Sequence, residues 1–193
     1  MIALVSAALA SSPGGPGHLV AGLEGQLGAR SQSTRQLGTA ATVGWRTRHV
    51  TVEASARRAW FLGTETGAEP DPIPDRRHAW GAALIPVLTP LRGTLGWNAS
   101  DQRPVDLGLD VGVGIGWERT STTTIVFDLP QTEHTDRAVA VWTAGPRIDH
   151  GPLELRLRAT GEHWAQQELD ALPVARTRLR SHVHTGLTVA MVL

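Results

Sequence analysis

Two histidines, His182 and His184, stand two residues apart near the end of the chain. On an extended strand that spacing puts both imidazoles on one face, where a pair at i and i+2 can chelate a metal once a third ligand joins it. Glu154 or Glu162 would have to supply that ligand from a neighbouring strand. The competing reading, a hydrogen-bonded polar face, needs no third ligand and is preferred. His163 beside Glu162 suggests hydrolysis only if a serine stands within reach of the imidazole. No nucleophile–base pair can be placed on adjacent strands from the sequence. The run "GVGIG" at 112–116 lies inside an alternating segment, not at a strand-to-helix turn, so it is no phosphate loop. No catalytic residue and no cofactor is assigned.

The histidines belong to "SHVHTGLTVAMVL", Ser181–Leu193. Val183, Thr185, Leu187, Val189 and Met191 share one face of an extended strand there, opposite His182, His184, Gly186, Thr188 and Ala190. The same period of two recurs along the chain. In "VDLGLDVGVGIGWE", Val105, Leu107, Leu109, Val111, Val113, Ile115 and Trp117 oppose Asp106, Gly108, Asp110, Gly112, Gly114, Gly116 and Glu118. In "PLELRLRATGEHW", Leu153, Leu155 and Leu157 oppose Glu154, Arg156, Arg158 and Glu162. Earlier strands set Glu24 and Arg30, then Glu53 and Arg57, against apolar faces. Arg58 alone interrupts an apolar side, either snorkelling or marking a bulge. Pro86 is awkward in a central strand because it removes a ladder hydrogen bond. "AVAVWTAGPRI" has the faintest pattern.

Eight such strands and no long segment of period 3.6 predict an all-β fold, an eight-stranded antiparallel up-and-down barrel. Tight links fall near Arg48 and Asp149. Longer connections at 63–76, 119–136 and 165–177 gather at the other end, and 89–104 is the one extended connection at the tight end. Short turns at one end and long loops at the other describe a transmembrane β-barrel. The opening "MIALVSAALA" reads as a possible truncated signal peptide over 1–10, with the mature chain starting near Ser11. A linker over 11–17 and a single barrel domain over 18–193 follow.

Composition narrows the function. Eighteen basic and eighteen acidic residues give no net charge, which argues against nucleic acid as a partner. Cysteine is absent, so there is no disulfide framework and no thiolate chemistry. No run approaches the roughly 18 apolar residues of a transmembrane helix.

Whether the apolar face meets lipid or a protein core is decided by three features. Glycines crowd the polar face, where a narrow barrel interior needs them and a solvated surface does not. Charges of both signs lie on that face: Glu24, Arg30, Arg46, Glu53, Arg57, Asp106, Asp110, Glu118, Glu154, Arg156, Arg158 and Glu162. Enclosed together they must pair, forming a polar network in the lumen. Trp60, Trp80 and Trp117 lie outward near the long-loop end and Trp45 near the other, as interfacial girdles require. The expectation is a monomer in outer-membrane lipid with a closed, charge-paired lumen and exposed loops that bind an unnamed ligand or serve as structure. The alternatives are a barrel enzyme acting on lipid A or phospholipid, and a soluble lipocalin-like ligand-binding barrel.

A family resemblance is closest in "PVLTPLRGTLGW" followed by "VDLGLDVGVGIGWERT", with Pro90, Gly93, Asp106, Asp110, Gly112, Gly114 and Gly116 at the matching places, and extends to "RIDHGPLELRLRATGEHW" and "HTGLTVAMVL". Over roughly Leu84–Leu193 the chain resembles the small outer-membrane β-barrel domain proteins of myxobacteria and related Gram-negative bacteria. That resemblance implies an outer-membrane location and a barrel, and no reaction.

Overall fold

The computed structural model describes residues 17–29, 35–47, 49–62, 76–95, 104–127, 129–168 and 176–193. The proposed signal segment, residues 11–16 of the linker, Arg30 and Arg48 lie outside them. Eight strands follow in order: β1 (His18–Ala29), β2 (Arg35–Arg46), β3 (Val50–Leu62), β4 (Arg76–Leu95), β5 (Val105–Val126), β6 (Leu129–His150), β7 (Leu153–Glu168) and β8 (Arg176–Val192). Each pairs antiparallel with its neighbours, and β1 pairs with β8, closing the barrel. Closure leaves no exposed edge around the wall, the condition for a sheet to sit in hydrocarbon.

Parity holds as the alternation predicts. Leu23, Leu27, Leu84, Val113, Ile115, Leu157 and Leu187 stand outside, with Ile115 at 72% exposure. Glu53, Asp110, Glu154, Arg156 and Arg158 stand inside, with Arg156 at 1%. Charge within and leucine without inverts the layout of a water-soluble domain. The outer surface is built for lipid.

Three connections differ from the expectation. Residues 119–136 are not a loop. They carry β5 and β6 onward as a ribbon that turns at Phe127, a residue of positive φ. Both faces of that ribbon are polar, so no hydrophobic contrast marks it; the β-branched run "TSTTTIV" is its only strand signal. Strand β7 likewise runs on to Glu168 and β8 begins at Arg176, inside the expected 165–177 connection. At the opposite end β4 continues through Leu95, in the expected 89–104 connection, past a register shift between Leu88 and Leu91. That bulge takes up Thr89 and Pro90 against the single residue Asp110, and returns Leu91 to the outer face.

The prolines explain other breaks in the ladders. The β4–β5 pairing jumps from Leu84↔Ile115 to Val87↔Gly112, passing Ile85 and Pro86. The β6–β7 pairing jumps from Ala144↔Ala159 to Arg147↔Arg156, passing Gly145 and Pro146. A glycine stands at each gap, Gly114 opposite Ile85 and Gly145 beside Pro146. A methyl group on Gly114 would run into the Leu84 carbonyl oxygen, and one on Gly145 into that of Leu157. The glycines therefore answer close approach of the adjacent strand's backbone, where the sequence suggested the opposite wall.

Beyond Ala140↔His163 no β6–β7 pairs continue. Residues 129–139 of β6 therefore have β5 on one side and, among the described residues, no strand on the other.

Candidate functional site: the charged lumen and the two barrel ends

Arginine and carboxylate meet in the lumen because alternate positions of β2, β3, β5, β6 and β7 all point there. Among the described residues, the guanidiniums of Arg46, Arg57, Arg137, Arg147, Arg156 and Arg158 face seven carboxylates: Glu24, Glu53, Asp110, Glu118, Asp149, Glu154 and Glu162. The charges nearly balance, so the interior can be closed without a large uncompensated charge.

The network runs along the lumen in three linked groups. Near the chain termini Arg46 bridges to Asp149 at 3.5 Å and to Glu154, which also holds Arg156. In the middle, Glu53 accepts from Arg156 and from both terminal nitrogens of Arg158, at 2.6 and 3.0 Å. Asp110 accepts from Arg147 at 3.1 Å and from the Thr89 hydroxyl at 2.8 Å. Toward the ribbon end Arg57 donates to Glu162 at 2.7 Å and pairs with Glu118, which also receives Arg137. Most of these bonds cross the lumen between strands that share no ladder: β2 with β7, β3 with β7, β3 with β5. They brace the barrel from within. Bidentate guanidinium geometry suits such crossings better than an ammonium would.

Of the residues expected on the lumen face, Glu24, Arg46, Glu53, Arg57, Asp110, Glu118, Glu154, Arg156, Arg158 and Glu162 lie inside the lumen. Asp106 is a correction. It sits at the rim, where β5 has only just begun, bonded to Arg92 and Thr94 at 2.6 Å each and partly open to solvent. Arg147, Asp149 and Arg137 were missed, since all three lie on β6. There Val139 and Val141 point inward, forming an apolar patch with Ile85, Val87 and Trp164. Alanines stand outside at Ala138 and Ala140, so neither face contrasts with the other.

Glu24 is bound by neutral donors, Gln26 at 2.7 Å and Thr188 at 2.8 Å. Beside it lies an internal cavity of about 40 Å³ lined by Thr42, Glu53, Arg158, Glu162 and His184, among others. At 10–15 Å³ per water that is room for about three. The imidazole nitrogens of His184 and Oε1 of Gln26 have no protein partner and line this space, so they suit hydration. His182 and His184 share the lumen as expected, with ring centroids 5.5 Å apart. Nδ1 of His182 is 3.7 Å from Glu162. Among the described residues no three potential metal ligands converge.

His163 points outward, opposite in sense to Glu162, and accepts a hydrogen bond from Nε1 of Trp142 at 3.1 Å. The two neighbours cannot form a dyad. The ribbon does hold a serine–histidine pair that the sequence reading did not place: Oγ of Ser121 lies 2.8 Å from Nδ1 of His134 across the β5–β6 ladder. Reading 119–136 as a loop hid it. Ser121 is only 3% exposed, so a substrate carbonyl has no open approach to the hydroxyl.

Fold and lumen together define a class, the eight-stranded transmembrane β-barrels of the outer-membrane type. Solved structures share this fold. Neisserial surface protein A superposes with a TM-score of 0.52 at 7% identity, covering 92% of this chain and 96% of that one. The N-terminal β-barrel domain of Pseudomonas aeruginosa OprF gives 0.53 at 13% identity, over 92% and 99%. At such identities the likeness is one of fold. No protein-family model and no curated protein sequence matches the chain.

Proposed function

We propose that this chain is an outer-membrane barrel, a member of the small barrel family of myxobacteria and related Gram-negative bacteria that "VDLGLDVGVGIGWERT" resembles. Its lumen is sealed by the arginine–carboxylate network, and its long-loop end, with the β5–β6 ribbon, faces the outside to bind or to support. The observation that carries this reading is the inverted surface: leucines exposed all round the wall and arginines 1–3% exposed within it. Even strand number puts both termini at the end with the tight 47–49 and 151–152 links, the end that faces the periplasm in such barrels. A sealed lumen assigns no transport and no reaction, so recognition falls to the outward end.

The chain lacks cysteine, so single cysteines report orientation cleanly. Thr132→Cys, in the ribbon, is expected to react with a membrane-impermeant maleimide on intact Gram-negative cells. Thr47→Cys, at the opposite end, is expected to react only after the outer membrane is opened. Labelling in the reverse sense, or recovery of the folded chain in the soluble fraction without detergent, would overturn the proposal. One observation supports the enzyme alternative, the 2.8 Å Ser121–His134 contact. Covalent capture of Ser121 by a fluorophosphonate, lost in Ser121→Ala, would establish it.

A further inference from the structure

Arg58 is the cation that breaks the apolar side of β3, and the structure shows neither a bulge nor a lost register there. Its side chain is exposed on the outer wall. The guanidinium lies 4.9 Å from the ring centre of Trp60 and 4.6 Å from that of Trp80, so two indoles hold it. No carboxylate of the described residues pairs with it. Arg119, two strands away, makes the contrast: it stacks on Trp117 at 5.5 Å, and its charge is met by Asp136 through two bonds of 2.9 Å. Register sets Thr39, Arg58, Trp80 and Arg119 in one outward row near the ribbon end.

An arginine oriented by aromatic faces and lacking a counter-ion presents its donors to whatever anion lies beside the wall. In a membrane that anion is a lipid phosphate. Indoles belong at the headgroup level, and an interfacial arginine on the lipid face costs only about 0–1 kcal/mol. We infer that Arg58, clamped by Trp60 and Trp80 with Thr39 beside it, is a binding site for the phosphate headgroup of an anionic lipid in the leaflet next to the ribbon. The inference rests on the outer-membrane reading, which makes that leaflet the outer one.

The test uses the full chain reconstituted in phosphatidylcholine vesicles containing a small fraction of phosphatidic acid. Either lipid carries brominated acyl chains in turn, and quenching of tryptophan fluorescence reports which lipid sits against the wall. Brominated phosphatidic acid is expected to quench more strongly than brominated phosphatidylcholine at equal mole fraction. Arg58→Gln is expected to weaken that preference roughly tenfold, the equivalent of one charge-assisted contact of about 1.4 kcal/mol. Arg58→Lys should restore part of it, since charge returns without the planar fork. Arg119→Gln should leave it unchanged. Failure of the wild-type chain to insert, read by its circular dichroism and co-flotation with vesicles, would defeat the membrane reading itself. Insertion with equal quenching by the two lipids would overturn this inference alone. So would a preference that survives Arg58→Gln, or one that Arg119→Gln removes equally.

Discussion

Glu53 holds two arginines: Arg156 is shared with Glu154, while the other carboxylate near Arg158 is Asp110 at 3.7 Å. Replacing it leaves Arg158 buried with only the more distant Asp110 for compensation. Breaking a buried pair in this way costs about 3–5 kcal/mol. Glu53→Gln, which keeps the shape and removes the charge, is therefore expected to lower stability by about 3 kcal/mol, read as a lower urea midpoint for unfolding from lipid vesicles. An unchanged midpoint would mean that the lumen is wet enough to solvate the arginines. The glycines give a second measurement at this scale. A methyl on Gly112 would already meet Ile85 at 2.9 Å and Thr143 at 3.0 Å, and Gly114 presses on the β4 backbone. Gly112→Trp and Gly114→Trp are expected to block refolding into detergent. Val111→Leu, on the outer wall, should shift stability by less than about 0.5 kcal/mol, since a lipid neighbour imposes little shape. Normal refolding of both tryptophan variants, with damage from Val111→Leu, would show that the faces have been assigned backwards.

The ribbon made by the far ends of β5 and β6 stays tied to the wall through Thr120–Thr123, which pair with Arg76–Ala79 of β4. Over 129–139 it takes no ladder from β7 among the described residues, and most of those residues are exposed. Cutting it to a short turn is accordingly expected to leave barrel assembly intact, measured as heat-modifiable migration on a gel. A shortened chain that no longer folds would make the ribbon part of the folding core. This element also marks where the sequence stopped being legible. Strands with leucine on one side and charge on the other, such as Leu153–Glu162, announce themselves through contrast. The ribbon has two wet faces and the inner stretch of β6 two apolar ones, so in both places contrast vanishes. The network members on β6, Arg147 among them, were lost for that reason. The Ser121–His134 contact was lost for another, because a cross-strand pair appears only once register is known.

For the molecule as a whole, near-balanced charge in a braced lumen implies a wall without a through-path. Vesicles carrying the protein are expected to swell in arabinose no faster than empty vesicles, and swelling at a porin-like rate would contradict the closed interior. The internal cavity beside Glu24 holds a few waters at most and does not change that expectation. Among the described residues, β6 passes Ala140 with no strand paired on its β7 side. A free strand edge in an aqueous medium is a template, along which a segment of another chain could be laid and from which stacking could spread. On this stretch the chain carries Glu133, His134, Asp136 and Arg137. Such polar and charged side chains make a stranger's apolar strand a poor match. The barrel thus avoids fibre-like growth by closing its sheet inside the membrane, and by charged gatekeepers where the sheet leaves it.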